Sequence, residues 1–273
     1  MTPNAAREGR EAKIGIGDNV IATGLARGAA ARGKRIAFGD GKRIIWDHNS
    51  EPIFRGNPNI APPGSERDSD IEWNPFRKGN RLYNEHDVPG NRWRWNMNWR
   101  CTPGELFFSG EELVFARKVG AGFVVIEPHI EAWKSCAPNK QWPRDRFAEV
   151  ARRLKKDGAR VVQFSYPNAM PLPDVESIAT PSFRHAAAVL ANAALYVGPE
   201  GGLHHAAAAV GVKGVVIFGS WIPPEVTGYD MHVNIGSDTR YCGSLSACPH
   251  CRRALDAITV EQVYEAAASI LGG

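Results

Sequence analysis

The chain has 273 residues, 43% hydrophobic and 23% charged, with a net charge of +4, which matches an ordinary globular protein of one large or two small domains. No run of about 18 apolar residues occurs, which argues against a helical membrane span. Five cysteines in so long a chain argue against a disulfide scaffold. Residues 1–13 lack the apolar segment of a secretory signal, so the expected compartment is the cytoplasm. The four excess basic residues fall in residues 1–118, while residues 119–273 balance. This reads as solvated surface, or as a face toward an acidic or polar partner.

Residues 18–31 have a helical pattern rich in small side chains. Residues 35–38 and 43–46 flank Gly39-Asp40-Gly41, the signal of a hairpin. Residues 52–80 are rich in Pro, Asn and Gly and read as loop. Residues 92–100 alternate polar and aromatic positions. As a strand they place Trp93, Trp95 and Trp99 on one side, either packed on the core or open as a platform for a sugar or a base. A boundary is expected near residues 117–122. Beyond it, strand and helix signals alternate: strand 123–127, helix 144–156 closed by Asp157-Gly158, strand 160–164, and helix 182–193 with Ser182 as N-cap. Strand 195–197, helix 203–210 and strand 214–218 follow. Helix 259–271 starts from Thr259, with Gln262 in the capping-box position. The fold class is therefore α/β with a parallel, doubly wound sheet, in which ligands bind beyond the carboxyl ends of strands.

The segment 197–210 carries most of the functional signal. A short apolar strand runs into Gly198, Gly201 and Gly202, which allow a sharp turn and a close backbone approach. A small-residue helix follows, whose N-terminal N–H groups favour a phosphate. Glu200, His204 and His205 sit at the mouth of that turn.

Three blocks in order make the chain resemble glycosyltransferase family 9, the heptosyltransferase-like enzymes. They are Gly15-Ile-Gly-Asp-Asn-Val-Ile-Ala-Thr, Pro138-Asn-Lys-Gln-Trp-Pro-Arg-Asp-Arg-Phe, and Gly198-Pro-Glu-Gly-Gly-Leu-His-His-Ala, continued by Val215–Gly219 and Pro224-Glu-Val-Thr-Gly. The resemblance implies two Rossmann-like domains facing across a cleft. Residues 1–118 would form a shortened, loop-rich acceptor-side domain and residues 119–273 the nucleotide-sugar domain. It implies inverting transfer of a heptose or related sugar from a nucleoside diphosphate, ADP-linked by analogy, to a saccharide or glycoconjugate hydroxyl, with no cofactor needed for the chemistry.

In that picture Asp18 is the base, an alternative to a helix-capping role, and Lys140 neutralises the leaving diphosphate. Gly15, Gly17 and Asn19 line the acceptor-side loop. Glu200, Gly201, Gly202, His204 and His205 hold the phosphates, Thr227 and Gly228 lie near the donor, and Ser165 and Tyr166 touch the nucleoside by position. Glu200 stands where the family has Asp, and Gly201 where it has Thr or Ser. Only residues 12–14 precede the glycines, so the first strand is almost missing. Asp68-Ser69-Asp70 looks like the metal-holding Asp-x-Asp of another glycosyltransferase fold, but no apolar strand precedes it and it reads as solvated loop.

Cys242, Cys248 and Cys251 are compact enough for a structural zinc or iron site, with His250, Cys101, Cys136 or His232 as fourth ligand; buried or free thiols are the other reading. Two other functions remain open. A nucleic-acid acceptor would exploit the basic first half and the Trp/Arg segment. A nucleotide-sugar-binding module without catalysis would fit the shortened first strand. Protein is a further acceptor class.

Overall fold

A computed structural model describes residues 14–76, 81–130, 135–167, 169–237 and 240–273. In chain order these form α1 (Ile16–Ala30), β1 (Arg35–Phe38), α2 (Ser50–Phe54), β2 (Ile71–Asn74), β3 (Asn84–Asp87), β4 (Arg92–Trp95) and α3 (Gly110–Val119). The second half continues with β5 (Val124–Ile126), a 3-10 turn (Ala137–Asn139), α4 (Arg144–Lys156), β6 (Val161–Ser165), β7 (Glu176–Ala179), α5 (Phe183–Leu190) and β8 (Leu195–Pro199). Then come α6 (Gly202–Ala209), β9 (Gly214–Gly219), α7 (Pro224–Thr227), β10 (His232–Gly236), α8 (Pro249–Ala257) and α9 (Val260–Gly272).

β5 to β10 form one all-parallel sheet in the order β10-β9-β8-β5-β6-β7. Its central strands are continuous Val, Ile and Leu because both faces are covered. On one face Val125, Phe164, Tyr196 and Val216 pack with α5 and α6 through Ala187, Leu190 and Ala206. On the other Val124, Ile126, Val197 and Ile217 pack with α4 and α9 through Phe147, Leu154 and Val263. Strand order reverses at β5, with β6 and β7 to one side and β8 to β10 to the other. A crevice therefore opens between the carboxyl ends of β5 and β8, and it positions the site described below. The first face is continuous with the N-terminal half, whose Val20, Ile21, Ile36, Phe38 and Phe54 join the same core. The α/β class and the Rossmann-like parallel sheet agree with the sequence reading.

The first half differs from expectation in three places. β1 pairs in parallel with β2, not in a hairpin with residues 43–46. The Gly39-Asp40-Gly41 turn does form, with Asp40 accepting the Lys42 and Arg43 N–H groups, but its return arm makes only the single bridge from Gly39 to Ile44. Residues 52–80 are not all loop: α2 ends and β2 lies within them. The Asp68 and Asp70 carboxylates are salt-bridged to Arg35, each at 2.6 Å, and clip β2 to β1. β4 ends at Trp95, so Trp93 and Trp95 share a face of an antiparallel pair with β3 while Trp99 lies in the following loop. Part of the shortened first strand, residues 12–13, lies outside the described residues. Among those described, no helix is long and apolar enough to cross a membrane.

Candidate active site

Two helix N-termini converge beside the crevice. Gly17 in the first turn of α1 faces Gly202 at the start of α6 so closely that a Cβ on Gly17 would lie 3.2 Å from the Gly202 Cα and 3.2 Å from the His205 ring. Of the turn glycines only Gly202 serves this approach; a Cβ on Gly201 would meet nothing within 4 Å, and one on Gly198 would meet the Tyr196 side chain and the Glu127 carbonyl. Gly201 is extended, with φ 165°, and neither Gly198 nor Gly202 is in the left-handed region. The expected turn from strand to helix falls at Glu200 and Gly201, between β8 and α6, and Gly198 continues β8. Both helices point their unpaired N–H groups and positive dipole ends into one region.

Glu200 lies at that point, 5% exposed. Its carboxylate is ion-paired to Lys140 and lies 3.3 Å from the His205 Nε2. Burial alone would push the Glu200 carboxyl up; Lys140 and His205 outweigh it and hold it below the usual carboxylate range. The other His205 nitrogen, Nδ1, hydrogen-bonds the Tyr229 hydroxyl at 2.9 Å. Lys140 lies 5.1 Å over the Trp221 ring, and Trp221 in turn meets Trp95 edge-on at 5.3 Å. His204 faces the interior, with no exposed surface, among Phe218, Tyr229 and His232. Burial pulls its pKa well below the usual histidine value and keeps it neutral. Glu200, His204 and His205 have ligand atoms close enough to hold a metal; Lys140 already pairs with one Glu200 oxygen and Tyr229 with the His205 Nδ1, while both His204 ring nitrogens are buried without a partner.

Asp18 is the third residue of α1. Its Oδ2 accepts the Gly15 N–H at 3.0 Å, so part of the capping role expected of it is real. Its Oδ1 accepts the Tyr83 hydroxyl, and the Arg81 Nε lies 3.4 Å from Oδ2. Asn19 is buried and bonds back to the Gly15 carbonyl. Neither Tyr83 nor Arg81 belongs to a recognisable motif, and sequence reasoning missed both.

A second carboxyl, Glu127, follows β5 in the crevice. Its Oε1 accepts the His129 N–H at 2.9 Å, while Oε2 is buried without a partner. Burial pushes this carboxyl up to about 8, against a small pull from the His129 N–H, so it is neutral at pH 7. The signal was present in the sequence, as a carboxylate closing a buried strand just before Pro128. Ser165 ends β6, and the Tyr166 ring stacks edge-on against His129 at 5.4 Å. Thr227 is buried with its hydroxyl unpartnered, and Gly228 leads from it into Tyr229.

The cysteine loop forms a separate centre. Cys242 Sγ lies 3.0 Å from Cys251 Sγ and 3.8 Å from Cys248 Sγ, and His250 completes the group. Cys101, Cys136 and His232 are not part of it. A hydrogen bond from Cys251, with the Ser244 N–H, holds the Cys242 thiol down to about 5. The loop is tied to Lys140 through Asn139, which is 1% exposed. Its Nδ2 donates to the Ser244 and Ser246 carbonyls at 3.1 and 2.8 Å, and its Oδ1 accepts the Cys248 N–H at 2.7 Å.

The sequence profile of glycosyltransferase family 9 (heptosyltransferase) matches residues 111–250, more than half of the chain. The chain belongs to glycosyltransferase family 9. Among solved structures, a family 9 glycosyl transferase from Veillonella parvula matches this family 9 chain with TM-score 0.62 at 16% identity, over 95% of each chain, which shows a common fold. ADP-heptose lps heptosyltransferase II of E. coli matches at 21% identity and TM-score 0.46, over 62% of this chain and 53% of that one. The iron-containing dodecameric glycosyltransferase TibC of enterotoxigenic E. coli matches at 21% identity and TM-score 0.48, over 64% and 51%. The chain thus aligns with about half the length of these two proteins. No curated protein matches it.

Proposed function

We propose that this chain transfers a sugar, with inversion, from a nucleoside-diphosphate donor to an acceptor hydroxyl. One observation carries the reading: the Asp18 carboxylate and the Lys140–Glu200 pair sit at the two helix N-termini that meet through Gly17 and Gly202. Residues 1–118 supply the acceptor side and residues 119–273 the donor side. Asp18 takes the proton of the acceptor hydroxyl as its oxygen bonds to the anomeric carbon. The carbon–oxygen bond to the diphosphate breaks, and the diphosphate leaves with the electron pair. Lys140, the N-terminal N–H groups of α6 and His205 stabilise that charge in a site shielded from water. Ser165 and Tyr166 stand where the nucleoside would extend. Membership of a heptosyltransferase family favours an ADP-linked heptose as donor.

A saccharide acceptor is favoured over nucleic acid. Arg92 and Arg94 are both bound to Asp87, and the Arg100 guanidinium folds back on the Met97 and Trp99 carbonyls. The arginines of the tryptophan segment are thus engaged within the chain rather than displayed as a stripe for phosphates.

The cysteine loop is proposed to hold one structural zinc or iron through Cys242, Cys248, Cys251 and His250. Tetrahedral thiolates at about 2.3 Å from zinc lie about 3.8 Å apart; Cys242 and Cys248 have that spacing and Cys242 and Cys251 are closer, at 3.0 Å, and three thiols with one imidazole are a fitting donor set. The metal takes no part in the transfer; it ties the loop to α8.

Asp18→Asn tests the base. The expected result is loss of transfer with nucleotide binding retained. Wild-type turnover in a folded Asp18→Asn protein overturns the assignment, and nucleotide binding with neither transfer nor donor hydrolysis in the wild type marks a binding module.

A further inference from the structure

Leu82 has φ 66°, a left-handed backbone that is unfavourable for a leucine. Such conformations persist where the surroundings over-determine them, and they cluster at functional sites. The two residues flanking Leu82 take hold of the same carboxylate. Tyr83 donates its hydroxyl to Asp18 Oδ1, and the Arg81 Nε faces Oδ2 at 3.4 Å.

The segment is locked from behind. The Asn96 N–H donates to the Tyr83 carbonyl at 2.9 Å, and the Asn96 Nδ2 to the Leu82 carbonyl at 2.9 Å. The Arg81 guanidinium lies 4.9 Å from the Trp93 ring centre, and the Trp93 N–H donates to the Gly243 carbonyl at 2.9 Å. Tyr83 is 6% exposed. Burial, and then the charge of Asp18, raise its pKa well above the ordinary tyrosine value, so the hydroxyl keeps its proton and remains a donor.

Each carboxylate oxygen offers two lone-pair sites. At Asp18, Oδ2 accepts the Gly15 N–H at 3.0 Å and is ion-paired with Arg81, whose Nε lies 3.4 Å away without a hydrogen bond. Among the described residues, Oδ1 accepts a hydrogen bond from Tyr83 alone, which leaves it one site. We propose that Arg81 and Tyr83 are positioning residues, braced by Asn96 through Leu82, that fix Asp18 so that the open site on Oδ1 receives the acceptor hydroxyl. The inference rests on Asp18 being the base. It explains why a strained turn precedes β3 and why the tryptophan hairpin is docked against the cysteine loop.

The test uses the full chain with ADP-heptose as donor and water as acceptor, following ADP release. ADP affinity is measured by calorimetry and folding by thermal melt. Asp18→Asn should abolish release. Tyr83→Phe and Arg81→Gln should each lower kcat about tenfold or more, because a base displaced by a fraction of an ångström loses its near-attack geometry. KM and the Kd for ADP should stay within twofold of wild type. Arg81→Lys should recover part of the loss, and Asn96→Ala should resemble Tyr83→Phe in milder form. Wild-type kcat in both Tyr83→Phe and Arg81→Gln, with Asp18→Asn inactive, overturns the clamp and leaves the base assignment standing. A fall in ADP affinity and melting temperature that parallels the loss of kcat overturns it in favour of a merely structural role. Unchanged release in Asp18→Asn, or none from the wild type, overturns the base reading and the clamp together.

Discussion

Glu127→Gln is the most quantitative prediction the crevice offers. The Glu127 carboxyl titrates at 4.5 in its ordinary setting and at about 8 in the fold, where burial disfavours the charged form. Below pH 4.5 it is protonated both folded and unfolded and costs nothing. As pH rises, the unfolded chain releases the proton first, so stability falls until the folded carboxyl also ionises near pH 8. A gap of that size corresponds to about 3 kcal/mol at pH 7 and about 5 kcal/mol above pH 8. Glutamine keeps the shape and the bond from the His129 N–H and carries no charge at any pH. Urea denaturation of wild type and Glu127→Gln at pH 4.5, 6, 7 and 8 isolates this one group from the others that titrate. The variant should gain on wild type by about 3 kcal/mol between pH 4.5 and 7, and the two should separate no further once the folded carboxyl has ionised. The same neutral carboxyl adds no negative charge at the end of β5, where a diphosphate in the crevice would feel it. Nucleotide affinity should therefore weaken above pH 8 in wild type and hold in the variant. Parallel stability curves across the whole range would refute the reasoning.

Other consequences are as direct. Arg184→Ala should cost about 3–5 kcal/mol in urea denaturation, because its guanidinium bonds the buried Glu112 carboxylate at 2.5 and 2.7 Å and joins α5 to α3. Gly17→Ala should lower transfer, since its Cβ would lie 3.2 Å from the Gly202 Cα and the His205 ring and push α1 from α6, read as a drop in kcat/KM in a protein that still melts cooperatively, at a somewhat lower temperature. Removing metal with a chelator, or Cys251→Ser, should lower bound zinc or iron from one per chain and weaken ADP binding through Asn139 and Lys140, measured by elemental analysis and calorimetry.

The parallel sheet was legible because its inner strands are short apolar runs separated by capped helices, and Ser182, Thr259 and Gln262 cap as their side chains dictate. β7 and β10 were not, since an edge strand buries few residues and shows no apolar run; β7 buries only Ile178. α3 was missed for a similar reason. It buries only Glu112 and Ala116, although Ser109 and Glu112 form a capping box that announces it. In the site, Glu200, His205 and Lys140 could be found because they lie within or beside glycine-rich and Trp-Pro motifs. Arg81, Tyr83 and Tyr229 could not. They reach Asp18 and His205 from loops distant in sequence, and only the folded chain brings them there.

The central claim is that the crevice between Lys140, Glu200 and the two helix ends binds a nucleoside diphosphate. It is tested most directly by thermal melts of the wild type with ADP, UDP, GDP and CDP, each repeated on Lys140→Gln. At 100 times its Kd a nucleotide should stabilise the wild type by about 2.7 kcal/mol, and Lys140→Gln should lose most of that gain. A rise with ADP above the others is the predicted result. No rise with any nucleotide, or an equal rise in Lys140→Gln, would contradict the account.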